Sequence, residues 1–188
     1  MCSTRAEPAV SAMERAESQG AIGMDKARQR FGELLEAHRK IVFKVGNTYC
    51  RHPDDRADLA QEIATQLWRA YPSYDPARPF STWMYRIALN VAISYVRNES
   101  PRQRNAVPLD EDLHELADEA AGDPESAQRV RDLHRFIGQL EPLNRALLLL
   151  YLEDRSYREI AEVLGISETN VATKISRLKQ RIRNEMPA

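Results

Sequence analysis

The stretch from Ser156 to Ile182, SYREIAEVLGISETNVATKISRLKQRI, carries the clearest local signals in the chain. Ser156 followed three residues later by Glu159 forms a capping box, in which each residue satisfies a backbone N–H of the other at a helix start. Gly165 stands where a chain reversal after that helix requires a positive φ. Ser167 is then a suitable N-cap for a second helix. The pattern predicts two helices joined by a tight turn.

The spacing of small and apolar residues in this stretch is typical of a helix-turn-helix. Ala161 lets the two helices approach, Gly165 makes the turn, and Val171 fills the crossing. From Ser167 to Arg183 there are 5 basic residues and 1 acidic residue. Side chains with donors and positive charge reach base edges and phosphates in a major groove. In this chain, such side chains are predicted on the outer face of the second helix: Asn170, Thr173, Lys174, Arg177 and Arg181. The stretch therefore indicates binding to duplex DNA.

Apolar residues at helical spacing predict five further helices outside this stretch. They cover Lys26–Cys50, Asp54–Tyr71, a segment capped by Ser81 and ending near Asn98, a segment from about Glu125 to Leu140, and one beginning at Pro142. The second of these has a buried stripe in Leu59, Ile63, Leu67 and Tyr71. No alternation typical of a strand appears. The prediction is an all-α chain of two small helical domains joined by a flexible acidic linker.

The distribution of charge points to nucleic acid more clearly than the total does. The 188 residues have a formal net charge of -1, which by itself suggests indifference to DNA. That total hides net charges of +6 over residues 26–104, -8 over 105–128 and +3 over 129–188. Two basic segments thus flank an acidic one, and such asymmetry is informative about partners.

The sequence offers no constellation for catalysis or metal binding. Cys2 and Cys50 are far apart, and Cys50-Arg-His52 is the only Cys/His neighbourhood among the 4 histidines. It lacks the ligands of a four-coordinate site. A phosphate-binding loop, a nucleophile elbow and an HExxH pattern are also missing from the sequence. We therefore expect no enzyme activity, no metal and no cofactor. The polar N-terminus and the short apolar runs predict a cytoplasmic protein.

Two patterns in the N-terminal half go beyond a simple DNA-binding module. One helix face carries the polar, mostly acidic set Asp55, Asp58, Gln61 and Glu62. An ordinary solvated helix face would look the same. The next helix begins FSTWMYRIALN over residues 80–90, where aromatic residues lie beside Arg86 and Asn90. Aromatic faces stack on unpaired bases and cations hold phosphates, although a core position would equally explain Trp83.

These motifs together resemble those of the extracytoplasmic-function (ECF) sigma factors of the sigma-70 family of RNA polymerase sigma factors. DRADLAQE over 55–62, Trp68, the FSTWMYRIALN segment and Arg97 resemble sigma region 2. The helix-turn-helix after an acidic segment resembles sigma region 4. The resemblance covers 26–97 and 130–185. It implies a disordered tail over 1–25, region 2 over 26–100, an acidic linker over 101–127 and region 4 over 128–186.

The resemblance also implies a role for each candidate residue. The β′ coiled coil of core RNA polymerase would be bound by Asp55, Asp58, Leu59, Gln61, Glu62 and Trp68. The -10 promoter element would be bound and melted by Trp83, Tyr85, Arg86, Asn90 and Arg97. The -35 element would be read as duplex by Arg158, Asn170, Thr173, Lys174, Arg177 and Arg181. Thr65 is a candidate phosphorylation site. The implied partners are core polymerase, through its β′ coiled coil and β flap, promoter DNA, and an anti-sigma factor or a Ser/Thr kinase as regulator.

A freestanding helix-turn-helix regulator is the alternative function. Such a regulator needs no polymerase-binding face and usually dimerises on paired half-sites. The two functions differ in whether the chain makes core polymerase initiate transcription.

Overall fold

A computed structural model describes residues 25–98 and 124–185 of the chain. The predicted tail over 1–25 and linker over 101–127 fall almost entirely outside these residues. Within them, the secondary structure consists of eight α-helices and one 3₁₀ turn, and no strand is present. The all-α prediction is confirmed. None of the described helices combines the length and apolarity that crossing a bilayer requires.

The chain divides after Arg39 into two compact units. Helix α1, over residues 25–37, lies in the first unit. The prediction of one helix over Lys26–Cys50 is wrong at His38, where the chain makes a turn before α2 begins (Arg39–Tyr49). The His38 amide is shared between the carbonyls of Leu34 and Leu35, each 3.2 Å away. The His38 ring nitrogen Nδ1 also lies 2.9 Å from the Leu34 carbonyl. A side chain that competes for a backbone acceptor favours a helix break.

The first half of the second unit is built on the pairing of two long helices. Helix α3 (Pro53–Ala70) starts on a proline, whose missing N–H costs nothing in a first turn, and runs into a 3₁₀ turn over Tyr71–Ser73. Helix α4 (Phe80–Asn98) packs against α3. The predicted stripe is confirmed at Leu59, Ile63 and Leu67, which are fully buried. It is wrong at Tyr71, which is only half-buried and begins the 3₁₀ turn after α3. The buried residues of α4 include Met84 and the small Ala88 and Ala92.

The predicted N-cap of α4 is wrong by two residues. The carbonyl of Pro79 accepts the backbone N–H groups of Thr82 (3.1 Å) and Trp83 (3.3 Å), so the helix begins at Phe80. Ser81 therefore lies inside the first turn and does not cap it. A proline offers its carbonyl without competing as a donor, and its fixed φ suits the entry to a helix.

The second half of this unit contains four helices: α5 (Pro124–Gln139), α6 (Pro142–Leu152), α7 (Tyr157–Leu164) and α8 (Glu168–Glu185). Helix α8 packs against both α6 and α7. Ala146, Leu147, Leu150, Ile160 and Val171 are fully buried at the centre of this bundle. The two halves of the unit also touch each other, since α4 packs against α6 and α7.

Candidate nucleic-acid and polymerase interface

Helices α7 and α8 form the predicted helix-turn-helix, and its local signals are confirmed. The Glu159 N–H donates to Ser156 Oγ (3.3 Å), and the Ser156 N–H donates to Glu159 Oε2 (2.9 Å). Gly165 adopts φ 67°, in the left-handed region. The Asn170 N–H donates to Ser167 Oγ (3.2 Å), so Ser167 caps α8. The turn geometry thus follows from three residue types at fixed spacing.

The capping box also favours the ionised form of the Glu159 carboxyl group. The hydroxyl of Ser156 donates to Glu159 Oε2 at 2.7 Å, and this hydrogen bond, with that from the Ser156 backbone, lowers the pKa of Glu159. A carboxyl whose pKa is lowered by folding stabilises the fold fully above its unfolded-state pKa. That stabilisation is lost as the pH falls through the lowered folded-state value.

Replacing Ser156 by alanine is therefore expected to lower the free energy of unfolding by about 1 kcal/mol at pH 7. The loss of unfolding free energy should be smaller at pH 3. Protonation of Glu159 already weakens its hydrogen bonds with Ser156 in the wild type at that pH, so the substitution removes less stabilisation. Urea denaturation of the wild type and of Ser156→Ala at pH 7 and pH 3 measures this difference in the free energy of unfolding. Ser176→Ala, an exposed serine within α8, is the control and should not destabilise the protein. An equal penalty at both pH values would contradict the role of the Glu159 charge.

The outer face of α8 presents polar and cationic side chains opposite its buried stripe. Val171, Ile175 and Leu178 are buried, whereas Asn170, Thr173 and Arg177 are exposed and Lys174 is half-buried. Arg158 is exposed on α7. Arg181 differs, because its Nε donates to Glu185 Oε1 (2.6 Å) and its guanidinium lies 5.4 Å from the centre of the Phe136 ring. Binding a phosphate with Arg181 would have to compete with Glu185.

The predicted polymerase-binding face lies along α3. Asp58, Gln61 and Glu62 are exposed, and Asp55 is half-buried near the start of the helix. Glu62 accepts a hydrogen bond from Gln66 (2.7 Å). Leu59 is 0% exposed, so its predicted direct contact with polymerase is wrong in this arrangement. A leucine four residues before the buried Ile63 falls on the core side of the helix.

An aromatic cluster that the sequence analysis did not predict joins α3 to α4. Trp68 stacks with Tyr71 (6.3 Å between ring centres), and Tyr71 stacks with Tyr74 (6.2 Å). Tyr74 then contacts Trp83 (5.1 Å) and Phe80 (5.3 Å). The aromatic residues at 68, 71, 74, 80 and 83 are the sequence signal for this cluster, but three prolines between residues 71 and 80 are more typical of an unstructured connection.

The candidate residues for the -10 element do not all share one accessible face. Arg86, Asn90 and Arg97 are exposed on α4, and Trp83 is half-buried in the aromatic cluster. Tyr85 is only 1% exposed. Its hydroxyl donates to Glu153 Oε2 (3.4 Å), and Arg155 lies over its ring. The predicted contact of Tyr85 with DNA is therefore wrong for this conformation, because groups from the second half of the chain cover it.

The environment of Tyr85 also changes its chemistry. Burial, and then the nearby carboxylate of Glu153, raise the pKa of Tyr85 to about 12. The phenol is thus held neutral as a hydrogen-bond donor. Sequence reasoning missed Glu153 and Arg155, which contact Tyr85, and Lys44, which pairs with Glu153. Residues far apart in a chain of helices leave no periodic signal of their contact.

The candidate phosphorylation site, Thr65, lies on α3. Thr65 is half-buried, and its hydroxyl donates to the carbonyl of Gln61 (2.8 Å). Across residues 25–98 and 124–185, no three His, Cys, Asp or Glu side chains converge in a way that could hold a metal ion.

Comparison with known families assigns both halves of the chain. The family model for sigma-70 region 2 matches residues 34–102, and the model for sigma-70 region 4 matches residues 131–182. The first match contains α3 and α4, and the second contains the helix-turn-helix. The order of the two matches is the order of the two predicted regions.

Comparison with individual proteins gives the same family. The ECF RNA polymerase sigma-E factor of Haemophilus influenzae is 30% identical over 170 residues, which cover 85% of this chain and 88% of that protein. The ECF RNA polymerase sigma factor SigE of Mycolicibacterium smegmatis is 29% identical over 87% of this chain, but the match spans only 64% of its length. The solved structure of CnrH in complex with the cytosolic domain of CnrY shares the fold, with a TM-score of 0.58, 23% identity and coverage of 84% of this chain and 87% of that one. The chain belongs to the ECF sigma factors of the sigma-70 family.

Proposed function

We propose that this chain directs core RNA polymerase to specific promoters and assists the melting of promoter DNA. The observation that carries the proposal is the presence, on one chain, of two accessible surfaces of different chemistry. The acidic face of α3 is suited to a protein partner, and the polar, cationic face of α8 is suited to duplex DNA. A freestanding regulator needs only the second of these.

Different helices are proposed to carry the different binding surfaces. Asp55, Asp58, Gln61 and Glu62 on α3, with Trp68, are proposed to bind the β′ coiled coil, and the region 4 half is proposed to meet the β flap. Trp83, Arg86, Asn90 and Arg97 on α4 are proposed to bind the -10 element. Arg158 on α7 and Asn170, Thr173, Lys174, Arg177 and Arg181 on α8 are proposed to read the -35 element. The chain acts by binding, and the polymerase supplies the chemistry.

Location and regulation belong to the same proposal. A protein that works with polymerase and DNA is expected in the cytoplasm. CnrH was solved with the cytosolic domain of a second protein, which supports a protein regulator such as an anti-sigma factor for this chain. Thr65 lies next to the proposed polymerase face, where phosphorylation by a Ser/Thr kinase would add about -1.5 to -2 charge. The limits of the two regions, 26–100 and 128–186, are proposed as the units that carry these tasks.

In vitro transcription separates the proposed function from its alternative. Core RNA polymerase, with and without the full chain, is incubated with a pool of genomic DNA fragments from the source bacterium, and the 5′ ends of the transcripts are sequenced. We expect new start sites, each downstream of a shared two-part element, only when the chain is present. A freestanding regulator would leave core polymerase without specific starts, although it would still retard DNA fragments in a gel.

A further inference from the structure

A cleft of about 680 Å³ lies between the loop that precedes α3 and the turn between α5 and α6. Pockets that hold small molecules in proteins commonly have volumes of about 300–1,000 Å³. The walls of this cleft combine apolar side chains, among them Val96 and Leu140, with the guanidinium groups of Arg51, Arg97 and Arg145. The cleft therefore has the size and the lining to take a small ligand with an apolar part and an anionic part.

Two of these arginines meet at Gly138, in the last turn of α5. Arg145 on α6 donates from Nη2 to the Gly138 carbonyl (2.6 Å) and from Nε to the Leu140 carbonyl (2.9 Å). Arg51 approaches Gly138 so closely that a Cβ at this position would lie 2.6 Å from its Nη2. Gly138 does not have a positive φ, so the backbone itself does not require glycine here. What the glycine provides is room for the Arg51 guanidinium beside that of Arg145.

The positive charge of the cleft has no ion-paired carboxylate among the described residues. None of their ion pairs includes Arg51, Arg97 or Arg145. Burial lowers the pKa of Arg145, and the nearby Arg51 lowers it further. Like charges that are gathered without a counter-ion repel each other, and a bound anion relieves that repulsion.

Three carboxylates also line the cleft, and each of them stands at the start of a helix. Asp54 and Asp55 lie in the first turn of α3, and Glu141 is the N-cap residue of α6. Negative charge is favoured at these places because it compensates the positive end of the helix dipole. The carboxylates therefore have a local structural role, which the gathering of three guanidinium groups lacks.

We propose that this cleft binds a small phosphorylated molecule of nucleotide size, whose phosphate groups lie on Arg51, Arg97 and Arg145. Guanidinium groups suit phosphate because their planar array of donors matches pairs of phosphate oxygens. The apolar wall that includes Val96 and Leu140 contacts the uncharged part of the ligand. This binding needs neither polymerase nor promoter DNA, so its failure and the failure of the proposed function are separate results.

Isothermal titration calorimetry of the full chain with pyrophosphate, ATP and GTP at constant ionic strength tests the proposal. We expect saturable binding of at least one nucleotide, with one ligand per chain, and weaker binding of pyrophosphate, which lacks a part to contact the apolar wall. Arg51→Gln should weaken nucleotide binding about tenfold or more, because a charged hydrogen-bond donor is lost. Arg183→Gln removes the same charge from an exposed position in the last turn of α8, and this control should bind as the wild type does.

Gly138→Ala tests the geometry of the cleft without changing its charge. The new Cβ displaces the Arg51 guanidinium from its place beside Arg145, so nucleotide affinity should again fall about tenfold. Alanine favours a helix more than glycine does, so urea denaturation should show no loss of stability. Gly32→Ala is the matched control, because a Cβ at that exposed position of α1 meets no neighbour within 4 Å. It should leave nucleotide affinity unchanged.

A short oligothymidylate, titrated in the same way, distinguishes a free nucleotide from a DNA strand, since Arg97 also belongs to the proposed -10 surface. If the oligonucleotide bound in a manner sensitive to Arg51→Gln and Gly138→Ala and neither nucleotide bound, the cleft would take DNA and the small-molecule assignment would be wrong. The proposal is also overturned if no probe binds saturably, or if Arg51→Gln and Gly138→Ala bind nucleotide as the wild type does.

Discussion

Reversing the charge of Asp58 is expected to weaken binding to core RNA polymerase about a hundredfold. Asp58 is exposed at the centre of the acidic face of α3, between the half-buried Asp55 and the exposed Glu62. A positive charge at this point would face the basic partner surface for which an acidic face is complementary, and like charges across an interface cost several kcal/mol. The dissociation constant of Asp58→Arg with core enzyme, measured by fluorescence anisotropy, reports the effect.

The matched control for this experiment is Asp132→Arg on α5. It makes the same change in net charge, and its wild-type carboxylate pairs with Arg135 within its own helix. We expect it to bind core enzyme as the wild type does. Unchanged binding by Asp58→Arg, or equal loss in both variants, would contradict the assignment of α3 as the polymerase-binding face.

Removing Lys174 and Arg177 together is expected to abolish recognition of the -35 element. Arg177 is exposed and Lys174 is half-buried beside the stripe formed by Val171 and Ile175, and no hydrogen bond or ion pair engages either side chain within the described residues. A good contact of this type contributes about 1–3 kcal/mol to discrimination between bases. Loss of two such contacts lowers the affinity of holoenzyme for its promoter about a hundredfold or more.

The double variant should leave the contact of α3 with core polymerase intact, because α3 lies in the other half of the chain. Lys26→Ala with Arg30→Ala removes the same charge from exposed positions of α1 and serves as the control. Gel retardation of promoter DNA at several salt concentrations measures both variants, and the salt dependence of binding should fall only for the α8 variant. A similar loss in both would attribute the effect to total charge rather than to the recognition helix.

The local structure of the helix-turn-helix could be predicted residue by residue, because short-range chemistry decides it. Ser156, Glu159 and Ser167 each satisfy a backbone group within three residues. Gly165 adopts the positive φ that glycine tolerates best. Such signals are complete within a few residues of sequence, so no knowledge of the rest of the fold is needed to read them.

The predictions were wrong where the local structure or burial of a residue depends on competing interactions or on residues far away in the sequence. At His38, a ring nitrogen and a shared carbonyl break a helix whose apolar spacing continues. Leu59 was predicted both in the core stripe and on the polymerase-binding face, and the structure buries it in the core. Tyr85 was predicted to meet DNA from its neighbours in the sequence. Its burial depends on Glu153 and Arg155, which are about 70 residues away.

Permanganate reactivity of promoter thymines tests most directly whether this chain enables core RNA polymerase to open specific promoters. The promoter is one found by transcription of the genomic pool. With core enzyme and the wild-type chain, thymines around the -10 element should become reactive, and with Lys174→Ala, Arg177→Ala or with Asp58→Arg they should not. Thymines that stay unreactive with the wild-type holoenzyme, or that react equally with core enzyme alone, would contradict the account.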